Sequence, residues 1–215
     1  MKSDISGLYA ITPDEHDTAK LLRKVKLALQ GGARAVQYRN KLADAPARLK
    51  QASVLLQLTR EFAVPLIIND DAELAGRVDA DGVHLGGEDG SVAAARTLLG
   101  AEKIIGVSCY NRLDLAHEAV KQGADYVAFG AVFASTVKPD APVATLDLLR
   151  QARREINLPL VAIGGITLAN SPSVLHAGAD ALAVISALFD ADDICLAARY
   201  FANLSIQSIS YKDLA

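Results

Sequence analysis

Short aliphatic runs alternate with longer amphipathic stretches along the chain. The aliphatic runs predict strands at Leu8–Thr12, Ala35–Arg39, Pro65–Asn69, Gly82–Gly86, Ile104–Cys109, Tyr126–Val132, Pro159–Gly165 and Ala181–Ser186. Between them, apolar positions recur at helical spacing. Asp17–Leu29 carries Leu21, Leu22, Val25 and Leu29, and Ala47–Phe62 carries Leu49, Ala52, Leu55, Leu56 and Phe62. Further helices are expected at Asp71–Arg77, Ser91–Leu99, Asp114–Gln122, Leu146–Ile156, Ser171–Ala177 and Ala191–Leu204, with a tail from about residue 205.

Strict alternation of strand and helix implies parallel strands joined by right-handed crossovers. Eight such units predict closure, so the expected fold is α/β, a single (β/α)8 TIM barrel over residues 1–215. An open doubly wound sheet would want fewer strands and often a GxGxxG turn after the first, and no such turn is present. An internal echo supports a barrel of repeated pieces. Gly32-Ala33-Arg34, Asp79-Ala80-Asp81, Gly123-Ala124-Asp125 and Gly178-Ala179-Asp180 each precede an even-numbered strand. Where the first residue is glycine, it can end the preceding helix.

Composition agrees with this reading. Apolar residues make up 51 % of the chain but aromatics only 5 %, so the core is aliphatic, as buried parallel strands require. The net charge of −3 argues against a nucleic-acid partner, yet leaves room for a phosphorylated metabolite held by a few local cations. Cys109 and Cys195 sit in unrelated contexts and read as free thiols. No stretch approaches the roughly 20 apolar residues of a membrane span, so the expectation is a cytoplasmic protein without a membrane partner. The sequence leaves room for a homo-oligomer.

In this fold the C-terminal strand ends carry the site. The second strand runs out through Gln37-Tyr38-Arg39-Asn40-Lys41, where alternation puts Gln37 and Arg39 on one face and Lys41 with them if the extension persists. An inward face would bring two cations to the barrel mouth and call for an anion; an outward one would leave them solvated. The third strand ends in Asn69-Asp70-Asp71 and the fourth in Gly86-Gly87-Glu88-Asp89. Asp70 or Asp89 alone reads first as a helix cap, as Asp71 does. Both on neighbouring strand ends point instead to a hard divalent cation such as Mg2+. Ser108 shares a face with Gly106 on the fifth strand. The loop after the sixth carries Ser135, Thr136, Val137 and Lys138, and is long enough to fold over a substrate or to be plain surface. Gly164-Gly165 and Ile185-Ser186 end the last two strands, where such barrels often bind phosphate through backbone amides. His84 alternates with Gly82 and Gly86, and reads as a packed, hydrogen-bonded core histidine before it reads as an acid or base.

The motifs Gln37–Lys41, Ile68–Asp71, Ala80–Asp89, Ile105–Ser108, Gly123–Val127, Ala162–Ile166 and Ile185-Ser186, in this order and spacing, resemble the thiamine-phosphate synthase family from about Leu8 to Leu188. The resemblance implies a Mg2+-dependent transferase that joins a pyrimidine methyl diphosphate to a thiazole phosphate and releases pyrophosphate. It implies that Gln37, Arg39, Lys41 and Asn69 hold the pyrimidine diphosphate, with Tyr38 and Asn40 in the same motif, and that Asp70 and Asp89 bind Mg2+. Ser108 would touch the pyrimidine. Ser135, Thr136, Val137 and Lys138 would form the phosphate loop, with Arg39, Lys41 and Lys138 stabilising the leaving group. Gly165, Ile185 and Ser186 would bind the thiazole phosphate. Gly87 stands where the family usually has glutamine, and Val137 where it usually has threonine. Losing one hydroxyl donor costs about 0.5–3 kcal/mol, enough to lower activity without abolishing it. A thiazole tautomerase of the same superfamily, or a non-catalytic regulator that binds a thiamine precursor, would not be expected to keep the metal pair.

Overall fold

The computed structural model describes residues 5–133 and 143–212. Eight strands follow one another around a closed parallel barrel: β1 (Gly7–Ile11), β2 (Ala35–Tyr38), β3 (Leu66–Asn69), β4 (Gly82–Leu85), β5 (Ile104–Tyr110), β6 (Tyr126–Phe129), β7 (Leu160–Ile163) and β8 (Ala181–Val184). Closure comes from β1 pairing with β8 in the register Leu8↔Leu182. Helices α1 (Thr18–Gln30), α2 (Ala45–Glu61), α3 (Ala72–Val78), α4 (Val92–Leu99), α5 (Leu113–Lys121), α6 (Leu146–Glu155) and α7 (Ser171–His176) lie between successive strands, and α8 (Ser186–Phe189) and α9 (Ile194–Lys212) follow the last.

Strand alternation divides the core in two. Leu8, Val36, Leu66, Val83, Ile105, Val127, Leu160 and Leu182 pack outward under the helices. Tyr9, Ile11, Ala35, Ile67, Ile104, Tyr126, Ala128, Val161, Ala181 and Ala183 fill the barrel itself. Two large rings among alanines need room, and Gly106 provides it: a β-carbon there would lie 1.9 Å from the Tyr126 ring.

The repeated tripeptide builds the bottom of the barrel. Its first residue ends a helix with positive φ: Gly32 at 102°, Gly123 at 83°, Gly178 at 109°, and Asp79 at 59°, a conformation aspartate tolerates better than most residues. Its alanine is buried each time. The third residue then hooks the preceding odd strand. Arg34, Asp81, Asp125 and Asp180 donate their backbone N–H to the carbonyls of Leu8, Leu66, Ile105 and Leu160. The three aspartates also accept, through Oδ2, the backbone N–H of Leu66, Ile105 and Leu160, each at 2.8 Å. Arg96 and Arg153 bind the carboxylates of Asp125 and Asp180, each at 2.7 Å. The amide that opens an odd strand would otherwise lack a partner.

Several boundaries differ from expectation. β6, β7 and β8 stop at Phe129, Ile163 and Val184, earlier than predicted, because Gly130 leaves the ladder, Gly164 turns at φ 98°, and Ile185 adopts ψ −86°. Ser186 therefore opens a short helix instead of closing a strand. The expected tail from 205 is also corrected: α9 continues to Lys212, since Ser205–Lys212 contains no glycine or proline to stop it.

Replacing Asp180 with alanine removes the acceptor for Leu160 N–H and the partner of Arg153, and should destabilise the fold by about 1–3 kcal/mol. Urea unfolding of Asp180→Ala would report this as a lower midpoint at constant slope. An unchanged midpoint would show that the hook contributes nothing.

Candidate active site

The second strand ends at Tyr38, so the extended conformation does not persist to Lys41; a loop follows that its own side chains hold in shape. Gln37 is buried and points inward, its Nε2 donating to Tyr9 OH at 3.1 Å. Tyr38 points the other way, its hydroxyl donating to Gln51 Oε1 at 2.9 Å under α2. Asn40 is also committed to structure. Its Nδ2 donates to Glu15 O at 2.8 Å and its Oδ1 accepts from Leu42 and Ala43 N–H. Tyr38 and Asn40 thus shape the loop, and Arg39 and Lys41 carry its charge to the rim. Thr12 clamps the loop to the first strand end, donating to Arg39 O at 2.8 Å and accepting Arg39 N–H at 2.9 Å. Asp14 pairs with the Arg39 guanidinium at 3.2 Å and accepts the Lys41 N–H at 2.6 Å.

Across the rim, Lys41 Nζ lies 4.0 Å from Asp70 Oδ2. Asp70 sits at φ 63°, and its N–H donates to His84 O at 2.8 Å, extending the β3–β4 pairing. Asp71 caps α3 as expected, accepting Leu74 N–H at 2.8 Å. Asp89 folds back to accept Gly86 N–H, also at 2.8 Å. Burial raises the Asp70 carboxyl above its ordinary pKa, and the neighbouring Asp89 carboxylate raises it further, while Lys41 and Asn69 oppose both. Two crowded hard-oxygen donors fit a cation that takes one or two carboxylates and leaves its other positions to water and phosphate. Among the described residues no cluster of three or more His, Cys, Asp or Glu could hold a metal without outside ligands.

Inside the mouth, Tyr9 OH lies 2.9 Å from Tyr126 OH, and Tyr126 OH 2.9 Å from His84 Nδ1. His84 Nε2 lies 2.9 Å from Ser108 Oγ, and the imidazole stacks on the Tyr126 ring at 5.5 Å. Burial lowers the His84 pKa to about 4, so the ring is neutral at neutral pH. Burial likewise holds the hydroxyls of Tyr9 and Tyr126 above their ordinary range and the Cys109 thiol up at about 12. Cys109 is free, as expected, and lies buried in the core.

On the far side, Gly164 and Gly165 turn at φ 98° and 64°, and a β-carbon on Gly165 would meet Phe133 at 2.8 Å. Phe133 N–H donates to Gly164 O at 3.1 Å, so the start of the sixth loop is pinned on the seventh strand end. Asn170 holds the turn through Gly165 O at 2.9 Å. Ser186 is exposed at the head of α8, and Ile185 lines the mouth. Ser135, Thr136, Val137 and Lys138 lie outside the described residues.

These groups surround two adjoining cavities. The inner, of about 150 Å3, lies in the barrel mouth between Gln37, His84, Ser108, Ile163 and Ile185. The outer, of about 410 Å3, lies under Arg39, Lys41 and Arg48. Arg39, Asn69 and Asp70 line both. The structure therefore brings Gln37, Arg39, Lys41, Asn69, Asp70, Asp89 and Ser108 to one side of the rim. Asp14, Thr12, Arg48, Tyr9 and Tyr126 were not anticipated. Thr12 and Asp14 stand at the first strand end, where the rule used for the other strands would have found them. The tyrosines share the inward phase of their strands.

Residues 8–188 match the family model described as thiamine monophosphate synthase. The chain is 58 % identical over 200 residues to the thiamine-phosphate synthase of Methylobacillus flagellatus, covering 93 % of this chain and 95 % of that protein. It is 53 % identical over 203 residues to that of Chromobacterium violaceum, covering 94 % and 98 %. The solved thiamine phosphate pyrophosphorylase from Pyrococcus furiosus superposes with a TM-score of 0.85 at 38 % identity, covering 94 % of this chain and 96 % of that one. A 3-hexulose-6-phosphate synthase, at 19 % identity and a TM-score of 0.68, shares the fold.

The depressed His84 pKa carries a stability consequence. Between about pH 4 and 6.5 the unfolded chain binds a proton at this residue that the folded chain refuses, so acid favours unfolding. Stability contributed by His84 should be present above the ordinary histidine pKa and fall by about 2 kcal/mol between pH 7 and 5. Urea unfolding at both pH values, for the wild type and His84→Gln, would test this. The variant should lose that part of the pH dependence, and an identical slope in both proteins would refute it.

Proposed function

The chain belongs to the thiamine monophosphate synthase family, and on that premise we propose how its rim carries out the family's reaction. It is a transferase of thiamine biosynthesis, a thiamine-phosphate synthase that joins 4-amino-2-methyl-5-(diphosphooxymethyl)pyrimidine to thiazole phosphate and releases pyrophosphate. The observation that carries the assignment of roles is the adjacency of a ring-sized cavity to a rim bearing two cations and two facing carboxylates.

The pyrimidine ring enters the inner cavity between Gln37 and Ser108, with its diphosphate under Arg39, Lys41 and Asn69. Asp70 and Asp89 would hold Mg2+, which when bound would supply positive charge against the departing pyrophosphate. The C–O bond breaks with its electron pair going to pyrophosphate, and the amino-substituted ring carries the positive charge left on the methylene carbon. Arg39 and Lys41 stabilise the growing negative charge, the contribution usually largest in such sites. The resemblance assigns Lys138, with Ser135, Thr136 and Val137, to the phosphates; these residues lie outside the described ones. Gly165, Ile185 and Ser186 hold the thiazole phosphate. The thiazole nitrogen forms the new bond with its lone pair and has no proton to lose, so no general base is needed. Tyr38 and Asn40 act by shaping the loop. The carboxylate pair weighs against a tautomerase or a non-catalytic binder. The two free cysteines suit a reducing, cytoplasmic setting for these small-molecule substrates.

Incubation of the protein with both precursors and Mg2+, followed by oxidation to fluorescent thiochrome, should reveal product. No product at any Mg2+ concentration would overturn the reading. Asp70→Ala and Asp89→Ala should each lose about 100-fold or more in kcat/KM while keeping a cooperative melt. Either variant running at the wild-type rate in limiting Mg2+ would remove that residue from the metal site.

A further inference from the structure

Asp89 stands in a turn that closes on itself. Gly86 N–H donates to Asp89 Oδ2 at 2.8 Å, and Asp89 N–H donates back to Gly86 O at 3.4 Å. The turn is shaped for this contact, since a β-carbon on Gly86 would lie 2.7 Å from Asp89 Oδ2. The same shape leaves it loose. The peptide between Gly86 and Gly87 has no β-carbon on either side, so little resists its rotation. Turned over, it would carry the Gly86 carbonyl away from Asp89 N–H and undo one of the two bonds that fold Asp89 back.

The N–H of that peptide is held from another strand end: Gly87 N–H donates to Tyr110 OH at 3.1 Å. Both polar groups of the Gly86–Gly87 peptide are therefore fixed, the carbonyl by Asp89 and the N–H by Tyr110. Ser108 lines the inner cavity, and strict alternation would turn Tyr110 the same way. The register instead shifts between Ser108 and Tyr110, as a bulge that re-aims a side chain does. Tyr110 also takes φ 53°, an unfavourable conformation for a bulky residue. Gly130 N–H fixes the backbone there, donating to Tyr110 O at 3.0 Å. Tyr110 is 47 % exposed, so core burial does not account for the strain. What the conformation delivers is one hydroxyl against one peptide.

We propose that Tyr110 is a positioning residue for the metal: its hydroxyl locks the Gly86–Gly87 peptide and so holds Asp89 ready for Mg2+. The proposal rests on the assignment of Asp89 to the metal, made above. With Oδ2 engaged by Gly86 N–H, the direction of the carboxylate is set by the turn. A carboxylate already directed loses less freedom when a cation arrives, and partners behind a ligand tune affinity in this way. Tyr110 acts through Asp89 and not on the substrates. A turn free to rotate would bind the ion more weakly, yet would support the reaction once metal saturates it.

Tyr110→Phe keeps the ring and deletes the hydroxyl. Mn2+ serves as the probe, read by electron paramagnetic resonance on the full chain with inorganic pyrophosphate present. Its dissociation constant should rise about tenfold in the variant. In the thiochrome assay the Mg2+ concentration for half-maximal rate should rise by a similar factor, while kcat at saturating Mg2+ and the KM for thiazole phosphate stay at wild-type values. A double-mutant cycle separates positioning from general damage. In an Asp89→Ala background, where Asp70 and pyrophosphate still hold the ion more weakly, Tyr110→Phe should weaken Mn2+ no further. An equal further loss there would mark a merely structural role and overturn the proposal. Wild-type Mn2+ affinity in Tyr110→Phe, beside a loss in Asp89→Ala, would remove the tyrosine's role and leave the metal site standing. Wild-type affinity in Asp89→Ala would remove the metal assignment itself, and the proposal with it.

Discussion

Closing eight strands creates an interior that side chains must fill, and here two tyrosines fill it from β1 and β6, with ring centroids 6.0 Å apart and planes at 74°. Their neighbours are small by necessity: Ala35, Ala128, Ala181 and Ala183 line the interior, and Gly106 sits against the Tyr126 ring. Two hydroxyls buried in such a place each need partners, because an unpaired one costs more than a bond to water would have given. Gln37 and His84 supply them, beside the bond between the two hydroxyls, and Ser108 partners the other nitrogen of His84. The packing requirement at the waist of the barrel therefore brings polar groups up to its mouth. Among the described residues, no buried side-chain nitrogen or oxygen is left without a partner.

The two ends of the barrel are built on opposite rules. At the bottom, each aspartate hook satisfies an amide at the start of an odd strand, the first of β3 and β7 and the second of β5, and two of the three are backed by an arginine. At the top, two carboxylates sit close enough to repel, and Asp70 at φ 63° and Tyr110 at φ 53° hold left-handed conformations, as Ala63 and Asp79 do at the bottom. Such strain persists where surrounding structure over-determines it. Tyr110 illustrates this: its hydroxyl accepts Gly87 N–H at 3.1 Å, tying the fifth strand end to the turn that carries Asp89. Here the residue that departs from the family's usual glutamine serves through its backbone, which a glycine provides as well as any other residue.

The alternation of aliphatic and amphipathic segments made all eight strands and the main helices legible, because each depends on local periodicity. The rim was legible through one rule, that strand C-terminal ends carry the site, applied to Gln37, Arg39, Asp70, Asp89 and Ser108. What stayed hidden depends on distant partners. Tyr9 meets Tyr126 across 117 positions of sequence, and Asp14 meets Arg39 across 25. No local pattern records either meeting. The Gln37–Lys41 motif shows the same limit from the other side. Its five residues look alike as candidates, yet Tyr38 and Asn40 both turn to Gln51 on α2, and only registration against that helix separates them from their neighbours.

The distribution of charge also bears on why the proposed chemistry needs no base. The formally charged groups assigned to the pyrophosphate and metal stand on the rim: Arg39, Lys41, Asp70 and Asp89. Arg39 and Asp70 also border the inner cavity, whose other polar lining is neutral, Gln37, Tyr9, Asn69, His84 and Ser108, beside apolar Ile163 and Ile185. Burial keeps both tyrosines protonated and the histidine unprotonated. A carboxylate or phenolate deep in the mouth would be a nucleophile poised to trap an electron-poor methylene carbon. Neutral hydrogen-bonding groups can orient a ring without competing for it. Separating charge along the barrel axis thus does two things at once. The rim's cations draw the leaving group outward, and the uncharged interior leaves the incoming thiazole nitrogen as the strongest nucleophile within reach.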